Sequence, residues 1–237
     1  MTGTGSDRHD GRPPAILALD TATSRVVVAL GRPDGRPIGE TTWLAGHRHG
    51  ETLLPTLGRV LGENNVRRSR LRAIVVGTGP GSFTGLRVGL ATAKGLAHGL
   101  GIPIVGIATS AALLAAAARA LGRASTDDLA LLLPAGLQDR VLVTGDGPRR
   151  LPAGEEPDLS ATTTLVAVDL ADRAPAEASA RGDLALAGLG AALLRLGARR
   201  LAAADTDDLA GLVPEYVTLP RGVERESGAM TWSRAPR

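Results

Sequence analysis

Two short stretches have the residue types and spacing for chemistry. Asp20-Thr21-Ala22-Thr23-Ser24 closes the apolar run Ala15 to Leu19, and the turn Gly77 to Phe83 closes the apolar run Ala73 to Val76. An aspartate at a strand end followed by small hydroxyl residues has two uses. Its carboxylate can accept hydrogen bonds from the turn's own N–H groups. Alternatively, the turn can wrap a phosphate while Asp20 holds a cation or a water. A glycine-rich turn that feeds a helix presents free N–H groups and the positive end of the helix dipole, which suits an anion. Neither common phosphate fingerprint is met. No lysine follows the turn, and in G-x-G-x-x-G the third glycine falls on Ser82.

Other catalytic groupings are absent from the sequence. Gly81-Ser82-Phe83-Thr84-Gly85 resembles a nucleophile elbow only loosely, and no histidine is placed to activate Ser82. There are four histidines: His9, His47, His49 and His98. His47 and His49 are two residues apart in a loop or first turn, whereas a metal pair on one helix face is spaced i, i+4, so no metal site is expected. There is no cysteine, which excludes disulfides and cysteine-based zinc sites.

The elements that position these stretches follow from apolar periodicity. Ala15–Leu19, Val26–Leu30 and Ile38–Leu44 read as an antiparallel meander. An amphipathic helix over about Glu51–Leu61 follows, then the strand 73–76, a helix over about Thr84–Leu100, the strand 102–107 and a helix over 111–121. This β-β-β-α-β-α-β-α order gives a mixed sheet with helices on its faces, because a doubly wound parallel sheet does not open with two hairpins. In the second half, 129–133, 141–144, 164–168 and 183–187 read as strands, and 190–196 and 207–212 as helices. The helix 84–100 carries Gly85, Gly89, Gly95 and Gly99, each costing up to ~1 kcal/mol against alanine, so another backbone is expected close by.

Composition narrows the class. The 237 residues suit one large domain or two small ones, and 43% hydrophobic content builds a core of Ala, Leu and Val. Aromatics at 2% argue against base-stacking surfaces. Net charge is only +3, and the pI near 10.4 reflects arginine, since Lys94 is the single lysine. Arg67, Arg68, Arg70 and Arg72 could touch phosphates but read better as a solvated linker. Residues 1–14 are polar, without the apolar region of a secretory signal, and no run reaches the ~20 apolar residues of a membrane span. A cytoplasmic location without membrane partners is expected. The expected organisation is a flexible tail over 1–14, a lobe over 15–121, a diverged, smaller second lobe over 122–220 and a charged flexible tail over 221–237.

Three motifs carry a resemblance. Ile16-Leu17-Ala18-Leu19-Asp20-Thr21-Ala22-Thr23, His49-Gly50-Glu51-Thr52-Leu53-Leu54-Pro55 and Gly79-Pro80-Gly81-Ser82-Phe83-Thr84-Gly85-Leu86-Arg87-Val88-Gly89 resemble the bacterial TsaB (YeaZ) family in order and spacing. Pro214-Glu215-Tyr216 resembles its C-terminal Pro-x-Tyr. The second half departs from the family pattern at Ala135–Leu142 and at Thr218.

The resemblance implies an α/β fold of the actin/Hsp70/sugar-kinase (ribonuclease H-like) type, two-lobed, with mixed sheets flanked by helices. It implies a non-catalytic scaffold or dimerisation subunit with no catalytic residue, metal or cofactor of its own. Such a subunit pairs with a TsaD-like catalytic subunit and a TsaE-like ATPase. The complex uses ATP and moves a threonylcarbamoyl group from threonylcarbamoyl-AMP to the adenosine beside the anticodon of tRNA. The heterodimer contact, and a homodimer through a similar surface, would use the helices 51–61 and 84–100, with Leu53, Leu57, Val60, Gly85, Gly89 and Leu90 facing the partner. Asp20, Thr21 and Thr23 would be a vestigial phosphate hairpin. The alternative of another class is a small-molecule kinase or nucleotide-binding protein of the same superfold. A metallopeptidase ranks last for want of a ligand set.

Overall fold

The computed structural model describes residues 14–44 and 49–217, and the main chain of 225–226 and 229–230. The expectations about the tail residues 1–13, 221–224, 227–228 and 231–237, and about His9, His47 and Thr218, lie outside the described residues. The first sheet has the strand order β3-β2-β1-β4-β5, from β1 (Ala15–Asp20), β2 (Arg25–Gly31), β3 (Pro37–Leu44), β4 (Leu71–Gly77) and β5 (Ile104–Ile107). β1, β2 and β3 pair antiparallel, while β1, β4 and β5 pair parallel. The crossovers are helices, as parallel pairing requires: α1 (His49–Glu63) precedes β4 and α2 (Phe83–Leu100) joins β4 to β5. α3 (Thr109–Ala120) then leads away from the sheet.

The second sheet has the order β8-β7-β6-β9, from β6 (Leu129–Ala135), β7 (Asp139–Thr144), β8 (Gly147–Leu151) and β9 (Thr164–Ala167). β8 is a strand that the sequence reading passed over. Gly145-Asp146 supplies a two-residue hairpin turn before it, with Thr144 opposite Gly147. Two helices close the fold, α4 (Ala176–Ala187) and α5 (Leu189–Ala202). A short β10 (Arg225–Glu226) pairs with β11 (Ala229–Met230).

Two expectations in the second half are corrected. Residues 183–187 are the last turns of α4, not a strand. Ala178, Gly182, Ala185 and Leu186 are its buried residues, which is helical spacing. Residues 207–212 are not a helix. Asp207 forms an antiparallel bridge with Ile104, so this segment lies along the free edge of β5.

The alternation of side chains along the strands sends each face of the first sheet into a different core. Leu17, Leu19, Val26, Val28, Ile74 and Val76 pack under α1 and α2. Ile16, Ala18, Val27, Ala29, Val75 and Val105 pack in one core with α3, α5 and the inner face of the second sheet. α5 follows the second sheet in sequence, yet it returns to the first sheet. Gly197 lets it do so, since a Cβ there would lie 2.4 Å from Val75.

Candidate functional site

The β1–β2 turn, the glycine turn after β4 and the start of α3 meet at one end of the first sheet. Asp20 is 0% exposed at the end of β1. Its Oδ1 accepts from the Ala22 N–H at 2.8 Å, and its Oδ2 accepts from the Thr109 hydroxyl at 2.7 Å. Burial pushes its carboxyl above the usual carboxylate range, although these two hydrogen bonds act the other way. The Thr109 oxygen also accepts from the Gly79 N–H at 3.0 Å, so a single relay links β1, the glycine turn and α3. Gly77 must be glycine here, because a Cβ would lie 1.7 Å from Asp20 Oδ2.

The glycine turn is fastened to the hairpin in the same way. The Ser82 N–H donates to the Ala22 carbonyl at 2.7 Å, and the Thr21 hydroxyl donates to the Gly85 carbonyl at 2.7 Å. Thr23 is also buried and turned inward, its hydroxyl donating to the Arg25 carbonyl at 2.9 Å. Ser82 caps α2 by accepting from the Gly85 N–H at 3.2 Å, so the helix starts at Phe83 and not after Thr84. At the hairpin tip, the Ser24 N–H and hydroxyl both donate to the Asp169 carboxylate. Asp169 sits at φ 58°, which costs a non-glycine residue and is held by these contacts.

This geometry answers one expectation. Asp20, Thr21 and Thr23 do come together with the glycine turn, but their side chains bond the chain itself. The N–H groups that a phosphate would use at Ala22, Ser24, Gly79 and Ser82 each have a partner within the fold. The anion held at the hairpin tip is the chain's own Asp169. Sequence reasoning missed Thr109 and Asp169. Thr109 opens α3, where its position suggests no more than a helix end, yet its hydroxyl serves Asp20, while Asp169 is 145 residues from Ser24 and carries no local signal.

The glycine turn also carries contacts from the end of the described chain. The Glu215 N–H donates to the Thr78 carbonyl at 2.7 Å. Arg87 stacks on Phe83 at 3.8 Å and donates from Nε to the Tyr216 hydroxyl at 3.3 Å. Burial raises the Glu215 carboxyl above its ordinary range.

The family model for TsaD, tRNA N6-adenosine threonylcarbamoyltransferase, matches residues 43–220 of this chain. The chain is 39% identical over 103 residues to the Haemophilus influenzae tRNA threonylcarbamoyladenosine biosynthesis protein TsaB, covering 43% of this chain and 42% of that protein. It is 38% identical over 94 residues to the Escherichia coli protein of the same name, covering 40% of each. The chain belongs to the TsaB (YeaZ) family. The matched stretches span less than half the length of these relatives. The fold is that of YeaZ from Pseudomonas aeruginosa, with a TM-score of 0.66 and 24% identity, covering 86% of this chain and 99% of that one.

The six residues expected to face a partner in a TsaB-family chain require a correction. Leu53, Leu57, Val60 and Leu90 are at most 4% exposed and lie in the core under the first sheet's outer face. Gly85 and Gly89 are buried against the hairpin, where a Cβ would lie 2.0 Å from the Thr21 carbonyl oxygen or 2.2 Å from the Thr21 hydroxyl. Their close approach is made within the chain. The open side of the same helices carries Gly58 and Gly62 on α1 and Gly95 and Gly99 on α2. Among the described residues, a Cβ at any of these four meets nothing within 4 Å. Leu54 is exposed beside them.

Proposed function

We propose that this chain is a scaffold subunit in tRNA threonylcarbamoyladenosine biosynthesis. On this reading it performs no group transfer itself. It docks a TsaD-like catalytic subunit, which transfers threonylcarbamoyl from threonylcarbamoyl-AMP to tRNA while a TsaE-like ATPase consumes ATP. The docking surface is the open side of α1 and α2, not their buried side. One observation carries the proposal. Four glycines stand in two i, i+4 pairs on neighbouring helices, and among the described residues nothing lies within 4 Å of their Cβ positions. Each costs helix stability of up to ~1 kcal/mol against alanine, with no close contact among the described residues to offset it. Side-chain-free helix faces let a partner helix approach closely, and the family's named pathway supplies the partner's chemistry.

The hairpin supports a scaffold over a kinase, since the Ala22 and Ser24 N–H groups and the Asp20 carboxylate are spent on partners within the fold. Among the described residues no helix is long and apolar enough to cross a membrane, so the reading needs no bilayer. The experiment is reconstitution of tRNA modification with the chain omitted, restored, and replaced by Gly95→Arg. Omission is expected to remove modification. Gly95→Arg is expected to unfold at the wild-type urea concentration and fail to restore it. Full modification without the chain overturns the scaffold role. Full modification with Gly95→Arg overturns the proposed surface.

A further inference from the structure

Arg140 is the only buried cation among the described residues, at 6% exposure. It lies on β7, opposite Pro134 of β6 and Leu151 of β8. A guanidinium withdrawn from water needs close, charged partners. Arg140 has two main-chain carbonyls, that of Arg173 at 3.2 Å and that of Glu155, and one carboxylate oxygen, Glu156 Oε1 at 3.5 Å. An ion-to-ion hydrogen bond closes to about 2.7–2.9 Å, so the Glu156 contact is loose. The Glu156 side chain is also 79% exposed. The buried charge is therefore fixed in place but poorly neutralised.

Arg140 lines an open cavity of about 660 Å³ whose lining includes no residue of the β1–β2 turn or the glycine turn. Its walls are the loop after β8 and the turn before α4, the two segments whose carbonyls Arg140 holds. Arg173 lines the same cavity and donates to the Leu137 carbonyl at 3.1 Å, tying the turn to the β6–β7 connection. A guanidinium has five N–H donors, so both arginines keep some in reserve. Gln138 adds an amide. The volume falls within the range of small-molecule sites.

We propose that this cavity binds a small molecule through a single carboxylate or phosphate group. The anion contacts Arg140 and Arg173 and takes the place of Glu156, which acts as a weak internal stand-in. Glu156 and Asp172 both line the cavity. Their charges repel a polyanion such as a triphosphate or a nucleic-acid backbone, and this restricts the ligand to one anionic group.

The test is a titration of the isotope-labelled full chain with inorganic phosphate in one arm and propionate in the other, read at the Gly154 and Arg173 amides by NMR. Saturable shifts at those amides are expected in at least one arm, and the arm that responds tells phosphate from carboxylate. Arg173→Gln is expected to weaken binding about tenfold, the worth of one charge-assisted hydrogen bond. Glu156→Gln removes the competitor and is expected to tighten it. Neither side chain is buried, so the variants' own spectra verify the fold. Absence of saturable shifts at ~50 mM of either anion, binding unchanged in both variants, or weaker binding in Glu156→Gln each overturns the proposal.

Discussion

Gly89→Ala and Gly95→Ala place the same methyl group on the same helix and should move stability in opposite directions. Gly95 is open, so alanine there gains up to ~1 kcal/mol from helix propensity and a less flexible unfolded chain. At Gly89 the new Cβ would lie 2.2 Å from the Thr21 hydroxyl and 3.3 Å from the Thr21 Cβ. Thr21 is 1% exposed, and its hydroxyl is engaged with the Gly85 carbonyl at 2.7 Å. If Thr21 rotates away, a buried hydrogen bond is broken at ~1–3 kcal/mol. If α2 moves off the hairpin instead, the overpacking cost is again ~1–3 kcal/mol. After a propensity gain of ~1 kcal/mol, Gly89→Ala should lose up to about 2 kcal/mol. The propensity gain is common to both, so at roughly 2–4 °C per kcal/mol for a chain of this size the ~1–3 kcal/mol clash should separate the two melting points by about 2–12 °C. Urea and thermal unfolding of the isolated chain measure both. Gly89→Ala as stable as Gly95→Ala would refute the idea that Gly85 and Gly89 serve close packing on Thr21. The same geometry bars Gly89→Arg as an interface probe, because loss of a partner there would report a damaged fold.

Asp20 gives a pH prediction. Its folded carboxyl is raised above its unfolded value near 3.8, so over that window the folded chain keeps a proton that the unfolded chain has released. Its stabilising contribution is present below the unfolded value and lost as pH rises through the folded one. Asp20→Asn should therefore flatten the fall in stability with rising pH, measured by urea unfolding from about pH 4 to pH 8; an unchanged slope would refute it. Arg200→Ala should release the segment along β5. Arg200 Nη1 donates to the Gly106 carbonyl at 2.8 Å and to Asp207 at 3.0 Å, while Asp207 Oδ2 accepts from the Gly106 N–H at 2.7 Å. The expected loss is ~1–2 kcal/mol, with faster hydrogen exchange at the Asp207 amide and little change at α1. Unchanged exchange at Asp207 would show that the bridge to Ile104 holds alone.

The first sheet was legible because its signals are local. Strand runs ending in Asp20 and Gly77, and helices with apolar residues three and four apart, specify their own elements. The second half was read less well for two physical reasons. After Asp183, residues 184–187 are apolar and short enough to suit a strand or a helix end, and only the spacing back to Ala178 and Gly182 decides. Residues 207–212 take their conformation from Ile104 and Gly106, about a hundred residues away. The site was half legible. The hairpin and the glycine turn were found, but not that they bond each other, since Ser82–Ala22 and Thr109–Asp20 are tertiary contacts. The residues expected to face a partner fell on the core side because apolar periodicity marks the buried side of a helix. Leu53, Leu57 and Val60 could only be core, and the informative residues were the glycines off that stripe.

The two glycine pairs of α2 show how one sequence signal can serve two purposes. Gly85 and Gly89 fall on the first turns of the helix, within reach of the β1–β2 turn, and their missing side chains are filled by Thr21. Gly95 and Gly99 lie further along, and among the described residues nothing lies within 4 Å of their Cβ positions. Identical spacing therefore acts once inside the molecule and, on the proposed reading, once outside it. The inner pair fixes the start of α2 against β1 through Thr21, Ser82 and the relay from Asp20 to Thr109. A helix held so firmly at one end presents its open glycines at a fixed angle. A preorganised face lowers the ordering cost of association, which is otherwise set against every contact a partner makes. On the proposed reading, the bonded hairpin and the bare helix face are then parts of a single device: the bonds within the hairpin and glycine turn hold the helix that docks.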